Sequence, residues 1–507
     1  MRKFFQFFSL TMLTQGVLLL NQVVLLPIQI RIWGHISTAH WYTMLAVATI
    51  VGVADCGMRT AGHAELIRYA HNPADEQAKT EFQHLWAWIR ILIFVVTITV
   101  IGLDLSYTCL YTKTPYFLWR AALVVGVALE TIVYVRVMYL DSLELYRQAE
   151  AGYLLLAAVR LCLAIAALTF FHSPPNVLAW IWCLSGLFAI AHQSTLCRRI
   201  GLLRLSEPMP PGLSFRTLRI ARYTMADPAS GWMRAYVPVL VLSAIAQPVA
   251  VTIYVALRAL FGTARQIILQ LARYASVQHV WLKESQQTAL AETQFTLCVL
   301  FAAFFASVIT GIVVADNFRL ASLWLVRSDP TLYAQIAITF GLASPLYAYQ
   351  IMQALMLRHG RVNEIARRQY LYIICLVVFS VIALLTKSVL LWLMLILIAE
   401  VTISLSFMLR PPSAATSAGG RGFLAALASA LLGVSLWLLV RFEPFDFLRQ
   451  PTTSAIAPTL AFLSLWILVI AALYLYIAHD LLSEVRTLAV SALGTFFNSR
   501  PEEPAND

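Results

Sequence analysis

The sequence predicts an all-α, polytopic membrane protein with about fourteen transmembrane helices, set out as two six-helix lobes followed by two further helices. Three observations predict it. Of 507 residues, 60% are hydrophobic and 12% charged, with a mean hydropathy of +0.76, outside the usual range of a soluble domain. Apolar runs long enough to cross a hydrocarbon core about 30 Å thick recur from end to end. The basic residues gather in alternate connections rather than on one face.

The first lobe covers residues 1–200, with spans at 5–26, 41–60, 85–103, 116–138, 151–171 and 177–197. The start, MRKFF, lacks a small-x-small cleavage site, so the first run reads as a retained span. A Pro-rich connector, EPMPPG, leads into the second lobe, residues 201–410, with spans at 217–246, 250–275, 293–314, 331–356, 369–386 and 388–409. A small-residue linker precedes a third segment, 422–480, with spans at 422–440 and 456–478, and a polar tail, 481–507. With the N-terminus inside, about 27 of the 36 Lys and Arg fall on the cytoplasmic side, so both termini face the cytoplasm. Leu26-Pro27-Ile28 and ELIRYA (65–70) in the first lobe are echoed by Val237-Pro238-Val239 and QLARYA (270–275) in the second, as two related bundles would require.

A net charge of +11 raises nucleic acid as a partner, but no contiguous basic face carries it, and nucleic-acid binding is not expected. Seven cysteines lie mostly inside apolar runs without metal-ligand spacing and read as small buried apolar side chains. There is no Walker A pattern, no HExxH, no GxGxxG and no GxSxG, so neither ATP hydrolysis, acyl-enzyme chemistry nor a cofactor is expected, and the chain is not read as an enzyme.

The chemistry-bearing residues are arginines inside or beside spans: Arg31, Arg59, Arg120, Arg160, Arg234 and Arg258, with Arg136 at a span end. A charge at the bilayer centre costs roughly 2.5–3.5 kcal/mol on insertion scales, so such residues face a cavity or a partner. Those near span ends also fit snorkelling to head groups, which Arg160 and Arg234 do not. Several guanidinia around one wet cavity would grip phosphate or carboxylate oxygens. Asp55 and Glu130 are the candidates for binding a coupling ion, Asp55 being placed four residues before Arg59 so that the two also pair. Asp227-Pro228-Ala229-Ser230-Gly231 and Pro345 are read as helix kinks, with Tyr347, Tyr349, Gln350 and Gln353 beyond the second as hydrogen-bonding groups suited to a sugar.

Leu26, Pro27, Arg31, Gly34, Tyr42, Asp55, Gly57 and Met58 match an L-P-x-x-x-R-x-x-G segment, a Tyr-containing turn and an Asp-x-Gly-[Leu/Met] ending. In this, residues 26–68 resemble the opening hairpin of Wzx-type polysaccharide flippases of the multidrug/oligosaccharidyl-lipid/polysaccharide (MOP) exporter superfamily. The resemblance implies alternating-access transport of an undecaprenyl-pyrophosphate-linked glycan across a bacterial inner membrane, with membrane lipids around it and polysaccharide polymerase and assembly proteins as partners. It also implies that the arginines meet the pyrophosphate or acidic sugars. Cys56, between the Asp and the Gly, departs from the apolar residue common there. A multidrug exporter of the same superfamily, a membrane-embedded polymerase or ligase, and a non-transporting scaffold are the alternatives.

Overall fold

The computed structural model describes residues 2–408 apart from 73, 110–116, 144, 200–220, 285, 287, 316–329 and 359. The two C-terminal spans, the tail and the EPMPPG connector expected from the sequence lie outside the described residues.

The described residues contain no strand. The helices are α1 (Arg2–Ala48), α2 (Met58–His71), α3 (Glu76–Tyr107), α4 (Phe117–Ser142), α5 (Tyr146–Phe171), α6 (Pro175–Arg199), α7 (Ala226–Ile245), α8 (Pro248–Glu284), α9 (Thr288–Ala315), α10 (Pro330–Ala343), α11 (Tyr349–Arg358), α12 (Val362–Thr386) and α13 (Val389–Met408). Among the described residues, nine stretches are long and apolar enough to cross a membrane. The chain is an all-α, polytopic membrane protein.

Two compact units divide the chain. The first is Met1–Leu260, Ala321–Ile336 and Val362–Leu395; the second is Phe261–Leu320, Ala337–Arg361 and Ile396–Asp507.

In the first unit, α1 is two arms rather than one rod. Gly34 has φ 75° and ψ 174°, outside helical space, and this positive φ is open to glycine at no steric cost. The Tyr42 hydroxyl donates to Gln29 Oε1 at 3.1 Å, and the Trp33 and Trp41 rings lie 5.9 Å apart. Residues 13 positions apart on a straight helix are about 20 Å apart, so the chain reverses at Gly34. The expected second span, 41–60, is broken by a 3₁₀ turn at Thr49–Val53 and by a non-helical turn at residues 54–57 before α2 begins.

In lipid the tails compete equally for apolar surface, so close packing and polar contacts decide which helices associate. Helix α4 lies tightly on α6 because small residues face each other there. A Cβ on Gly126 would come within 2.9 Å of the Trp182 and Cys183 backbone, and one on Gly186 within 2.8 Å of Leu129. Trp41 is 1% exposed and is surrounded by the rings of Trp33, Trp119 and Trp182 at 5.7–6.0 Å, anchoring α1, α4 and α6 to one another. Helix α7 packs on α1 and α12.

Asp227-Pro228-Ala229-Ser230-Gly231, expected to kink a span, forms the first turns of α7 just past a break at Met225, which separates α7 from the helical residues 221–224; Pro228 lacks the N–H that would carry the ladder across it. The prolines inside these helices are Pro27 and Pro238, the pair in the echoed tripeptides.

In the second unit, the chain turns 3₁₀ at Pro345–Ala348 between α10 and α11. Tyr347, Tyr349 and Gln350 are buried there, Tyr349 stacking on Phe407 of α13 at 5.3 Å. Phe261 and Phe340 stack at 5.5 Å. The cysteines are all unbridged; Cys183 and Cys197 are buried, whereas Cys109 and Cys162 are exposed, contrary to the reading of the set as buried side chains.

Candidate functional site

All six arginines singled out from the sequence, with Asp55 and Glu130, belong to the first unit. Among the described residues Arg59, Arg120 and Arg160 each pair with a carboxylate.

Glu130 of α4 and Arg160 of α5 form an ion pair, Nη1 to Oε2 at 2.6 Å. The Arg160 Nε donates to Ser185 Oγ of α6 at 3.2 Å, and its guanidinium lies 4.6 Å from the centre of the Trp182 ring. Arg160 is 5% exposed, and its Nη2 is buried with no hydrogen-bond partner among the described residues. The Arg160 charge is thus held by a tryptophan face, a hydroxyl and one carboxylate, with a donor unused.

Asp55 stands in the turn before α2 rather than on a helix face, and it still reaches Arg59. Its Oδ2 accepts the Arg59 backbone N–H at 3.1 Å and lies 3.6 Å from Arg59 Nε. Asp55 is fully buried, and its Oδ1 accepts no hydrogen bond among the described residues. Cys56 and Gly57 both have positive φ, 49° and 78°. A Cβ on Gly57 would sit 2.3 Å from Met225 N, and the Thr224 hydroxyl donates to the Gly57 carbonyl at 2.8 Å. The Asp-Cys-Gly motif is therefore a turn on which the chain entering α7 rests directly, and a side chain at its glycine would prevent that.

Arg120, at the start of α4, pairs with Asp104 of α3 at 3.2 Å and donates from Nη2 to the Thr108 hydroxyl. Asp104 lies one residue beyond the 85–103 span read from the sequence. Arg31 is exposed on α1.

Arg258 differs from the first three. Arg258 Nη1 donates to the carbonyl of Ala235, and its guanidinium lies over the Tyr236 ring at 5.2 Å. Among the described residues Arg258 makes no ion pair with a carboxylate. Arg234, 8% exposed, donates from Nε to the Tyr372 hydroxyl of α12 at 3.2 Å and stacks on that ring at 4.6 Å.

Tyrosines that sequence reading passed over join most of these charges into one seam. Arg59 lies 5.0 Å from the Tyr134 ring centre, and Tyr134 meets Tyr153 edge-on at 6.1 Å. Tyr153 is within electrostatic range of Glu130 and Arg160, and Tyr236 is within range of Glu130 and Arg258. Tyr42, from the motif, is within range of Arg258. Tyr134 falls four residues after Glu130, a helical spacing that puts the two on one face and was the one sequence signal available. Arg120, at the other end of α4, stands apart from this seam. Among the described residues no group of three or more His, Cys, Asp and Glu is placed to hold a metal ion.

No protein-family model matches the chain, and no characterised relative matches it by sequence. Solved structures do. The lipid II flippase MurJ in an inward closed conformation aligns over 94% of this chain and 99% of its own, with a TM-score of 0.60 at 9% identity. An inward-facing multidrug resistance transporter of the MATE family aligns over 84% and 96%, with a TM-score of 0.53 at 11% identity. The bent form of the MATE transporter VcmN from Vibrio cholerae aligns over 85% and 98%, with a TM-score of 0.50 at 13% identity. At these identities the likeness is one of fold, and the proteins that share it are transporters rather than enzymes. The chain thus shares its fold with MurJ and with these MATE transporters.

Proposed function

We propose that this protein is a flippase that moves an undecaprenyl-pyrophosphate-linked oligosaccharide repeat unit across a bacterial inner membrane by alternating access, for surface or exopolysaccharide assembly. The observation that carries the reading is Arg258, a guanidinium in a membrane helix with no described carboxylate to neutralise it, in the same unit as Arg160 and Arg59. A permanent cation so placed selects an anion, and a pyrophosphate offers the oxygens to engage it. A solved lipid flippase shares the fold. Two six-helix lobes that rock about the substrate, cytoplasmic termini and Wzx-type specificity belong to the same proposal.

In this mechanism Arg258 takes the first phosphate contact. Glu130 holds Arg160 until a proton neutralises the carboxylate or the incoming anion displaces it, whereupon Arg160 joins the phosphate. Asp55, buried with an oxygen unused, is the second carboxylate able to take a coupling proton. Coupling then follows from differential binding: the substrate favours the state in which the carboxylate has released its arginine.

These same carboxylates favour a second reading, a multidrug exporter, because a buried Asp55 and a half-buried Glu130 suit an organic cation. One experiment separates the two. In a strain lacking the gene, the leaflet in which the lipid-linked repeat unit accumulates is read with a label that reaches only the outer face. Complementation follows with wild type, Arg258→Ala and Arg160→Ala. Inner-leaflet accumulation rescued by wild type alone supports the flippase. Normal export of the glycan with increased sensitivity to cationic dyes supports the exporter, and outer-leaflet accumulation points to a polymerase or ligase.

A further inference from the structure

A second basic site lies away from the seam, where α3, α4 and α6 meet. Arg136, six residues before the end of α4, donates from Nη1 to the Ile190 carbonyl at 3.1 Å and to Ser194 Oγ of α6 at 2.8 Å. Its Nε is buried and has no hydrogen-bond partner among the described residues. Arg90 of α3 is exposed, with its guanidinium 5.6 Å from the centre of the Trp86 ring; Trp86 meets Tyr139 of α4 edge-on at 5.3 Å, and Arg136 lies one turn before Tyr139. Neither arginine makes an ion pair with a described carboxylate. Two like charges are therefore held near each other without a counterion, an arrangement that a shared anion relieves.

The surroundings identify the anion. Helices α3 and α6 both pack against α4. Beside Arg90, Ile91, Phe94, Val95 and Ile98 of α3 are exposed, and beside Ser194, Leu187 and Phe188 of α6 are exposed. An apolar surface of this kind, in a chain that spans a membrane, faces acyl chains. Arg136 and Ser194 stand within two turns of the ends of their helices, and α6 finishes with Arg198 and Arg199, the pattern of a cytoplasmic interface. A free anion has no use for that apolar surface, whereas a phospholipid uses both.

We propose that Arg90 and Arg136 hold the phosphate of an anionic phospholipid of the inner leaflet, with its acyl chains along the exposed side chains of α3 and α6. The lipid ties α3 to the α4–α6 pair. The site is independent of what the protein transports.

The test uses purified full-length protein stripped of lipid in nonionic detergent. Thermal unfolding is followed with phosphatidylglycerol, phosphatidylcholine or inorganic phosphate added, for wild type, Arg90→Gln and Arg136→Lys. Arg90 is exposed, so Arg90→Gln leaves the fold intact, and Arg136→Lys keeps the charge. Phosphatidylglycerol is expected to raise the Tm of wild type more than either other addition does. Arg90→Gln is expected to weaken its apparent affinity about five-fold, as loss of one basic contact at a membrane surface does. Arg136→Lys should retain most of the response. Equal stabilisation by phosphatidylcholine, full stabilisation by inorganic phosphate, or a wild-type response to phosphatidylglycerol in Arg90→Gln would each overturn the proposal.

Discussion

Arg160 and Arg258 are built alike and neutralised differently. Each guanidinium lies about 5 Å from an aromatic ring within the same unit, Trp182 for one and Tyr236 for the other. Arg160 also has a carboxylate at 2.6 Å, whereas Arg258 has a backbone carbonyl. The difference teaches that an arginine in a membrane helix is not by itself an anion site. A paired arginine contributes to packing until its partner is protonated or displaced; one that leans on a carbonyl keeps its full charge for a ligand.

The comparison breaks most completely if the two regions lose the backbone contact at Gly57, which joins the Asp55 turn to the chain entering α7. Gly57→Ala adds left-handed strain to a Cβ 2.3 Å from Met225 N and should cost about 4 kcal/mol, read as loss of folded protein in a thermal melt. Arg160→Ala comes next. It leaves Glu130 without its cation and should cost about 3 kcal/mol, and adding Glu130→Gln should recover a large part of it. Recovery in that double variant is the sign of a structural pair; no recovery would mean that Arg160 acts alone.

Arg258→Ala is expected to reverse the pattern. It should lower stability by about 1 kcal/mol, a single hydrogen bond and ring contact, while reducing glycan export at least tenfold. Arg120→Ala, at the Asp104 pair away from the seam, should leave export near wild type.

The smallest effect lies outside the membrane. The Arg68 guanidinium beside Asp75, with the Ala78 backbone N–H, holds the Asp75 carboxyl below the usual carboxylate range. A lowered folded-state value means that Asp75 stabilises fully above its unfolded value of about 4, and that this stabilisation is lost as pH falls. Asp75→Asn should flatten the acid side of the Tm profile slightly and leave export at neutral pH unchanged.

Hydropathy made the spans legible because membrane crossing depends on local composition alone. The reversal at Gly34 was less so: the motif contains the glycine, but a positive φ is visible only once Tyr42 is seen to reach Gln29. The site was legible in part for the same reason. Asp55 and Arg59 are four residues apart and do pair, although Asp55 reaches Arg59 from a turn and not from the helix face that the spacing implied. Glu130 and Arg160 are thirty apart on neighbouring helices, and Asp104 and Arg120 sixteen, so those pairings depend on tertiary packing that spacing does not encode. The tyrosines of the seam carried no charge to single them out.

The central claim is that an arginine left unneutralised by the fold reads the phosphate of a lipid-linked glycan. The most direct measurement is the Kd of purified protein for an undecaprenyl-pyrophosphate oligosaccharide in nanodiscs, with wild type, Arg258→Ala and Arg120→Ala side by side. The account predicts a Kd at least tenfold weaker for Arg258→Ala, about 1.4 kcal/mol, and unchanged for Arg120→Ala. Wild-type affinity in Arg258→Ala, or equal losses in both variants, would contradict it.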